Sequence, residues 1–359
     1  MAPLNPSCDL TLDGDRAGLY RPRINSTDRW AIRMCWKTFL AHAVAVCLCS
    51  VALSSFAAEA QSLAKVYRIG WLSRIPLSSN RATLTRALDD LGYVEGRNLV
   101  IDVRQGDGKD ERLPGLAAEL VALKPDVIVA VTTVATKAAQ EATKTIPIVI
   151  VQVSDPVGSG FVASLARPGG NITGVTDFGI DLAPKYVELA HTIAPGATRI
   201  GLLMSDNPLR PAMQKAMEDA ATSRGFTLLP AMDRSDAELE QAFASLTKEK
   251  AGALIVFGGG PMGLQAIRIA ELAAKAKLPT VYPDRYFVTK GGLLSYGPSY
   301  PQMYKMAATF VDRIFKGAKP SDLPVEQPTL FNMSINDKAV KALGITIPQS
   351  ILINAEVIQ

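Results

Sequence analysis

From residue 66 onward the chain alternates short, almost wholly apolar runs with segments of helical period, and this alternation decides the fold class before any motif is considered. Runs such as 126–131 and 146–153 carry apolar side chains on both faces, as strands covered from both sides do. A strand of that kind followed by a helix and another such strand requires a parallel sheet with helices on each face. Strands are expected at 66–72, 99–103, 126–131 and 146–153. Helices are expected from Asn80, where Leu84, Leu88 and Leu91 share a face before Gly92, and at 111–123 and 136–143.

The turn cluster Arg167-Pro168-Gly169-Gly170-Asn171 breaks the rhythm, which then restarts. Strands at 172–176, 199–204, 227–231, 253–257 and 280–283 alternate with helices at 184–193, 211–224, 237–249 and 262–276. Two open sheets are the simplest account, so the expected class is α/β, with two doubly wound parallel-sheet lobes joined by a hinge of several strands. The tail reads as a chain crossing between lobes: a strand at 293–296, a helix at 302–316, an extended segment at 325–333 and a short helix at 337–343. The expected division is 61–172 with 295–322 for one lobe, and 173–294 with 323–359 for the other.

The preceding residues read as an address. Arg33 and Lys37 stand before an apolar run from Phe39 to Phe56, and Ala58-Glu59-Ala60 offers a small-x-small cleavage site before Gln61. With Met34 as the start, that leader is 27 residues, an ordinary length. The alternative is an uncleaved anchor, against which His42, Ser50, Ser54 and Ser55 weigh. Cleavage removes Cys8, Cys35, Cys47, Cys49 and His42, leaving no cysteine and one histidine, His191. Disulfides, thiolate chemistry and Cys or multi-His metal sites then drop out. Of 38 basic and 34 acidic side chains, 32 and 29 remain after residue 60, too balanced for nucleic acid or an acidic membrane surface.

Several separated motifs resemble one family. Leu91-Gly92-Tyr93-Val94-Glu95-Gly96, Ser154-Asp155-Pro156-Val157-Gly158, the stretch from Leu165 to Val175 and Pro195-Gly196-Ala197-Thr198-Arg199-Ile200 look like signatures of an ABC transporter substrate-binding family. The resemblance spans nearly all of residues 64–359. It implies a type I periplasmic-binding-protein fold that closes on a small solute, a periplasmic location, a permease partner in the inner membrane and no enzymatic activity. Some relatives bind aromatic amino acids, so an amino-acid-like ligand or aromatic acid is the expectation at family level. A monomer without cofactor or metal is expected.

In open parallel sheets ligands bind beyond the carboxyl ends of the strands. The polar residues at those ends are Ser73, Thr132, Thr133 and Asp155 in the first half, and Thr176, Asp177, Asn207 and Asp284 in the second. Thr132 and Thr133 stand just ahead of a helix, where hydroxyls and free amides suit a carboxylate, while Asp155, Asp177 or Asp284 suits an ammonium. Each also fits an ordinary cap or turn role. Tyr67, Trp71, Tyr282, Tyr286, Tyr296 and Tyr300 are the aromatic candidates, with Trp71 better placed in the core and Tyr296 retained for the site.

One motif points elsewhere. Gly258-Gly259-Gly260-Pro261-Met262-Gly263 is a literal GxGxxG between a strand and a helix, with Asp284 21 residues past its last glycine. It comes late in the chain, Pro261 removes an amide donor, and an exported compartment does not supply NAD. A secreted oxidoreductase is therefore the alternative reading, with a ligand sensor for a membrane receptor as another.

Overall fold

The structure, a computed structural model, describes residues 65–359 apart from 77, 206–208, 234–235 and 259–260. The leader and Asn207 lie outside the described residues. Residues 65–359 form one compact unit built on two sheets.

The first half runs β1 (Tyr67–Ser73), α1 (Ser78–Asp90), β2 (Leu99–Gln105), α2 (Leu113–Ala122), β3 (Val127–Val131), α3 (Thr133–Ala142), β4 (Ile148–Val153) and β5 (Ile172–Thr176). Its strands make a five-stranded parallel sheet in the order β2-β1-β3-β4-β5. There follow α4 (Ala183–Ile193), β6 (Arg199–Ser205), α5 (Arg210–Thr222), β7 (Thr227–Asp233), α6 (Asp236–Lys248) and β8 (Ala253–Phe257). Then come α7 (Pro261–Leu264), α8 (Ala266–Lys275), β9 (Thr280–Tyr282), α9 (Arg285–Thr289), β10 (Leu294–Pro298) and α10 (Tyr300–Phe315). The chain ends with β11 (Phe331–Asn336), α11 (Asp337–Leu343), α12 (Gln349–Leu352) and β12 (Ala355–Ile358). The second sheet has the order β12-β11-β10-β9-β8-β6-β7, parallel except where β10 meets β11.

Helices cover both faces of each sheet, as two-sided apolar strands require. On the first sheet, α1 and α10 bury Leu84, Leu88, Met303 and Phe310 against one face, while α2 and α3 bury Leu113, Leu120, Ala135 and Ala139 against the other. On the second, α4 and α5 place Tyr186, Val187, Met213 and Met217 on one face, and α6 and α8 place Leu239, Phe243, Ile269 and Ala273 on the other. Each fully buried large side chain contributes about 1.5–3 kcal/mol by leaving water. Pro184, Pro211 and Pro301 all sit in a first helical turn, where the missing N–H has no partner to lose.

The element order agrees with the alternation in sequence; the division between sheets differs from expectation. The boundary expected after residue 172 falls inside β5, which pairs with β4. The turn cluster at 167–171 simply returns the chain to the same sheet, and Phe161 and Val162 in the β4–β5 connection help cover it in place of a helix. Likewise β10 joins the second sheet although α10 packs on the first, and Glu326 bridges back to Val175 before β11 begins. The chain thus passes from one sheet to the other three times: after β5, between β10 and α10, and between Glu326 and β11. The helix expected at 262–276 is broken into α7 and α8, and α9, α12 and β12 were too short to show a period.

Candidate functional site

A cavity of about 140 Å³ lies where the carboxyl ends of strands from both sheets converge. From the first sheet it is lined by Arg74 after β1, Thr132, Thr133 and Val134 after β3, Gln152 and Ser154 at β4, and Asp177 after β5. Because these strands are neighbours in the order β1-β3-β4-β5, the wall is graded. It runs from a guanidinium, through hydroxyls and the free amides of a helix start, to a carboxylate. The second sheet supplies a mostly apolar wall: Met204 and Ser205 at the end of β6, Leu209 and Met213 around the start of α5, Phe257 and Gly258 at β8, and Pro283 after β9. Tyr300, the first residue of α10, completes the lining where the chain recrosses.

The polar wall is built under backbone strain. Thr132 has φ 79° and ψ 161°, a conformation that disfavours a β-branched residue, and its Oγ1 is buried without a hydrogen-bond partner. The Thr132 amide donates to the Val151 carbonyl at 2.9 Å, while the α3 amides beyond it start a helix with no side-chain cap. Gln152, at φ 59°, marks the irregularity where β4 slips register against β5. Its Oε1 accepts from the Tyr304 hydroxyl at 3.3 Å.

Asp177 accepts from the Gly179 amide at 3.0 Å and from the Ser154 side chain. Burial pushes its carboxyl above the ordinary range, and these two hydrogen bonds only partly oppose that. Asp284, one residue past Pro283, caps α9 by accepting from the Tyr286 amide at 2.6 Å. Burial raises its carboxyl too. Tyr300 feels both: burial first, then Asp284 and Asp177, hold its phenol well above the usual value, so it stays a neutral donor. Arg74, the lining cation, stands 2.7 Å from Asp110 as an ion pair rather than an aligned hydrogen bond. Arg285 is engaged with Glu356 at 2.7 Å.

Of the residues expected at strand ends, Thr132, Thr133 and Asp177 line the cavity and Asp284 adjoins it. Ser73 turns inward, accepting from Trp71 Nε1 at 3.2 Å and donating to the Ile75 carbonyl at 2.9 Å. Thr176 is buried and donates to the Val153 carbonyl, and Asp155 closes a turn by accepting from the Gly158 amide at 2.7 Å. Tyr296 stacks on Phe331, 5.7 Å between ring centroids, and the Lys185 ammonium lies over the Tyr296 ring, 5.8 Å from its centroid. Among the aromatic candidates only Tyr300 lines the cavity; Tyr67 stacks on Phe315, Trp71 on Tyr304 and Tyr282 on Phe287, while Tyr286 is exposed. His191 packs against Phe226.

Sequence reasoning missed Arg74, Gln152, Ser154 and the apolar wall. Gln152 left a trace, as the polar interruption of an otherwise apolar strand; Met204, Met213 and Phe257 left none, since their periodicity is that of core. Gly258 has a structural reason to be glycine: a Cβ there would stand 2.7 Å from Met262 Sδ and 2.8 Å from Ser205 Oγ. Among the described residues no group of His, Cys, Asp or Glu could hold a metal ion, and no helix is long and apolar enough to cross a membrane.

Comparison with known proteins identifies the family and the fold. The family described as ABC transporter substrate binding protein matches residues 71–358. The tyrosine-binding protein of Clostridioides difficile (strain R20291) is 30% identical over 260 residues, 72% of this chain and 74% of its own. A conserved domain protein from Vibrio cholerae O1 biovar El Tor is 29% identical, covers 82% of this chain and all of its own, and superposes with a TM-score of 0.77. The corresponding domain from Streptococcus pneumonia in complex with L-Trp is 27% identical, with a TM-score of 0.75 over 81% of this chain and 99% of its own. More distant solved structures share the type I periplasmic-binding-protein fold. The chain therefore belongs to the ABC transporter substrate-binding protein family.

Proposed function

We propose that this protein is the solute receptor of an ABC importer and captures an amino acid with an aromatic side chain in the cavity between its sheets. The graded polar wall carries the reading. A zwitterion laid along it puts its carboxylate against Thr132, Thr133 and the start of α3, where dipole and free amides favour an anion. Its ammonium then meets Asp177, supported by Ser154. The side chain is left facing Met204, Met213, Phe257 and Tyr300, an apolar and aromatic surface of the kind that selects by shape and area. A tyrosine-binding relative and a neighbour holding L-Trp favour that ligand class.

Each sheet with its helices forms a lobe, and the three crossings act as the hinge. Contacts from both lobes to one ligand stabilise the closed form. The receptor is exported by the leader, cut after Ala60, works as a monomer, and hands its cargo to a membrane permease without altering it.

Calorimetry and thermal melts of the chain beginning at Gln61 test this, with tyrosine, tryptophan, phenylalanine, leucine, glutamate and deaminated aromatic acids as probes. A ligand at 100-fold its Kd adds about 2.7 kcal/mol of stability by linkage. Aromatic amino acids are expected to raise Tm, to be recovered unchanged, and to outcompete the deaminated acids. Binding confined to the deaminated acids, no binding at all, or turnover of a probe overturns the proposal.

A further inference from the structure

We propose that Gln152 is a specificity-determining residue whose side-chain amide, oriented by Tyr304, presents its NH2 to the carboxylate of the bound amino acid. The inference rests on the receptor reading and assigns one contact within it.

Three observations carry it. Gln152 is the point at which β4 loses register with β5, between Val151 and Val153, and its left-handed backbone turns a strand residue toward the cavity it lines. An ordinary alternating strand would place this residue among apolar neighbours, where an amide is costly. The side chain is also held from behind. Tyr304, on α10, donates to Gln152 Oε1 at 3.3 Å and accepts from Asn80 Nδ2 of α1 at 3.4 Å. Stacking on Trp71, 5.9 Å between centroids, fixes the Tyr304 ring, and burial keeps its phenol protonated and therefore a donor. With Oε1 engaged, the part of the amide left to face a ligand is the donor NH2. Finally, Gln152 stands beside Thr132, because Val131 pairs with Val151 and the Thr132 amide bonds the Val151 carbonyl. β4 lies between β3 and β5, so a donor there carries the anion-favouring side of the wall from Thr132 toward the middle of the cavity, before Asp177 is reached.

A carboxylate at position 152 would keep the Tyr304 bond but turn a donor facing the ligand into a negative charge. Discrimination is read by comparing L-tryptophan with L-tryptophan amide, which keeps the ammonium and ring and lacks the anion. Wild type is expected to prefer the acid. Gln152→Glu should weaken the acid at least about tenfold more than the amide, the scale of a hydrogen bond to a charged group. Gln152→Met, which keeps the volume, should narrow the preference without reversing it. Tyr304→Phe should also narrow it by freeing the amide to rotate, while Asn80→Ala, one step further back, should do less.

If wild type binds no aromatic amino acid, the receptor reading fails and this assignment with it; if it binds tyrosine but not tryptophan, the same acid-to-amide comparison is read with L-tyrosine and L-tyrosine amide. If wild type binds and the variants lose acid and amide in equal proportion, the receptor reading stands and Gln152 has only a structural role. Should Gln152→Glu not fold, the acid-to-amide ratio of Gln152→Met decides by itself.

Discussion

Thr132 directly follows β3 and Gln152 is the penultimate residue of the adjacent parallel strand β4, and both hold a left-handed backbone, at φ 79° and 59°. Among the described residues, the other non-glycine residues with positive φ, Asp107, Lys124, Lys250 and Lys277, fall in a loop or just past helix ends, where such values are ordinary. Strain in the strand region is therefore concentrated at the cavity wall, and it persists because the surrounding sheet over-determines it.

Replacing Thr132 with glycine separates stability from binding. Relief of the backbone is worth about 1–3 kcal/mol, opposed by about 1 kcal/mol of extra chain entropy in the unfolded state. The net should raise the ligand-free Tm by about 2 °C, given a chain of this size. Affinity for aromatic amino acids should fall as the buried hydroxyl is lost. Differential scanning calorimetry with and without ligand checks both, and a lowered ligand-free Tm would show that the conformation is not strained.

Asp177 leads to a second opposition. Burial raises its carboxyl above the ordinary value of 3.8, so ionisation costs more in the empty fold than in the unfolded chain. This group's contribution to stability is full below the unfolded value of about 4 and is lost as pH rises through the raised native value. Ligand-free Asp177→Asn should therefore melt higher than wild type at pH 7, and the gap should close on acidification. Ammonium binding needs the ionised form, so wild-type affinity should weaken as pH falls through the same value, and the Asn variant should show little affinity at any pH. Melting curves and titrations from pH 4 to 8 measure both trends.

Why some of this was legible in sequence and some was not has a physical reason. Two-sided apolar strands and helix periods are local signals repeated over many residues, so the sheets and most helices could be read directly. The assignment of β5 to the first sheet depends on which strand it pairs with, and pairing is not written in β5 itself. Thr132 and Asp177 were found because cavity residues in parallel sheets collect at strand ends. Ser73 and Thr176 occupy equivalent ends, yet a hydroxyl can as easily satisfy a neighbouring carbonyl, and theirs do. Gln152 depends on a one-residue slip of register, and Met213 and Phe257 serve core and cavity with the same side chain. Composition cannot distinguish those uses.

Away from the cavity, Tyr93 donates to Asp312 at 2.9 Å and edges Tyr67 and Phe315 at centroid distances of 5.4 and 5.1 Å. Burial, then the bond to Asp312, pushes its phenol from 10.0 up to about 12. The contribution of the protonated phenol is thus full below pH 10 and is lost as pH rises from about 10 to 12. Tyr93→Phe should cost on the order of 1–2 kcal/mol at pH 7, softened by Lys316 at 2.8 Å from Asp312, and should flatten the alkaline arm of the stability profile. Urea unfolding at pH 7 and at pH 10–11 gives the comparison. An alkaline slope equal to that of wild type would assign the titration to another group.

Gly297 ties the sheet to the cavity by the absence of a side chain. A Cβ at this position would stand 2.0 Å from the Pro283 carbonyl oxygen, and Pro283 is itself part of the apolar wall. Backbone cannot yield as a flexible side chain does, so Gly297→Ala must either separate β10 from residue 283 or push Pro283 into the cavity. A cost of about 3 kcal/mol is expected, at the upper end for overpacking, together with a loss of affinity in whatever fraction remains folded. Gly196→Ala is the matched control: no atom lies within 4 Å of its Cβ, and reduced freedom in the unfolded chain should leave stability level or raised by about 0.4–1 kcal/mol. Urea midpoints and ligand titrations of the two variants should therefore diverge. If Gly297→Ala folds and binds as Gly196→Ala does, the contact between β10 and Pro283 is looser than its geometry implies, and the rear of the apolar wall can move independently of the second sheet.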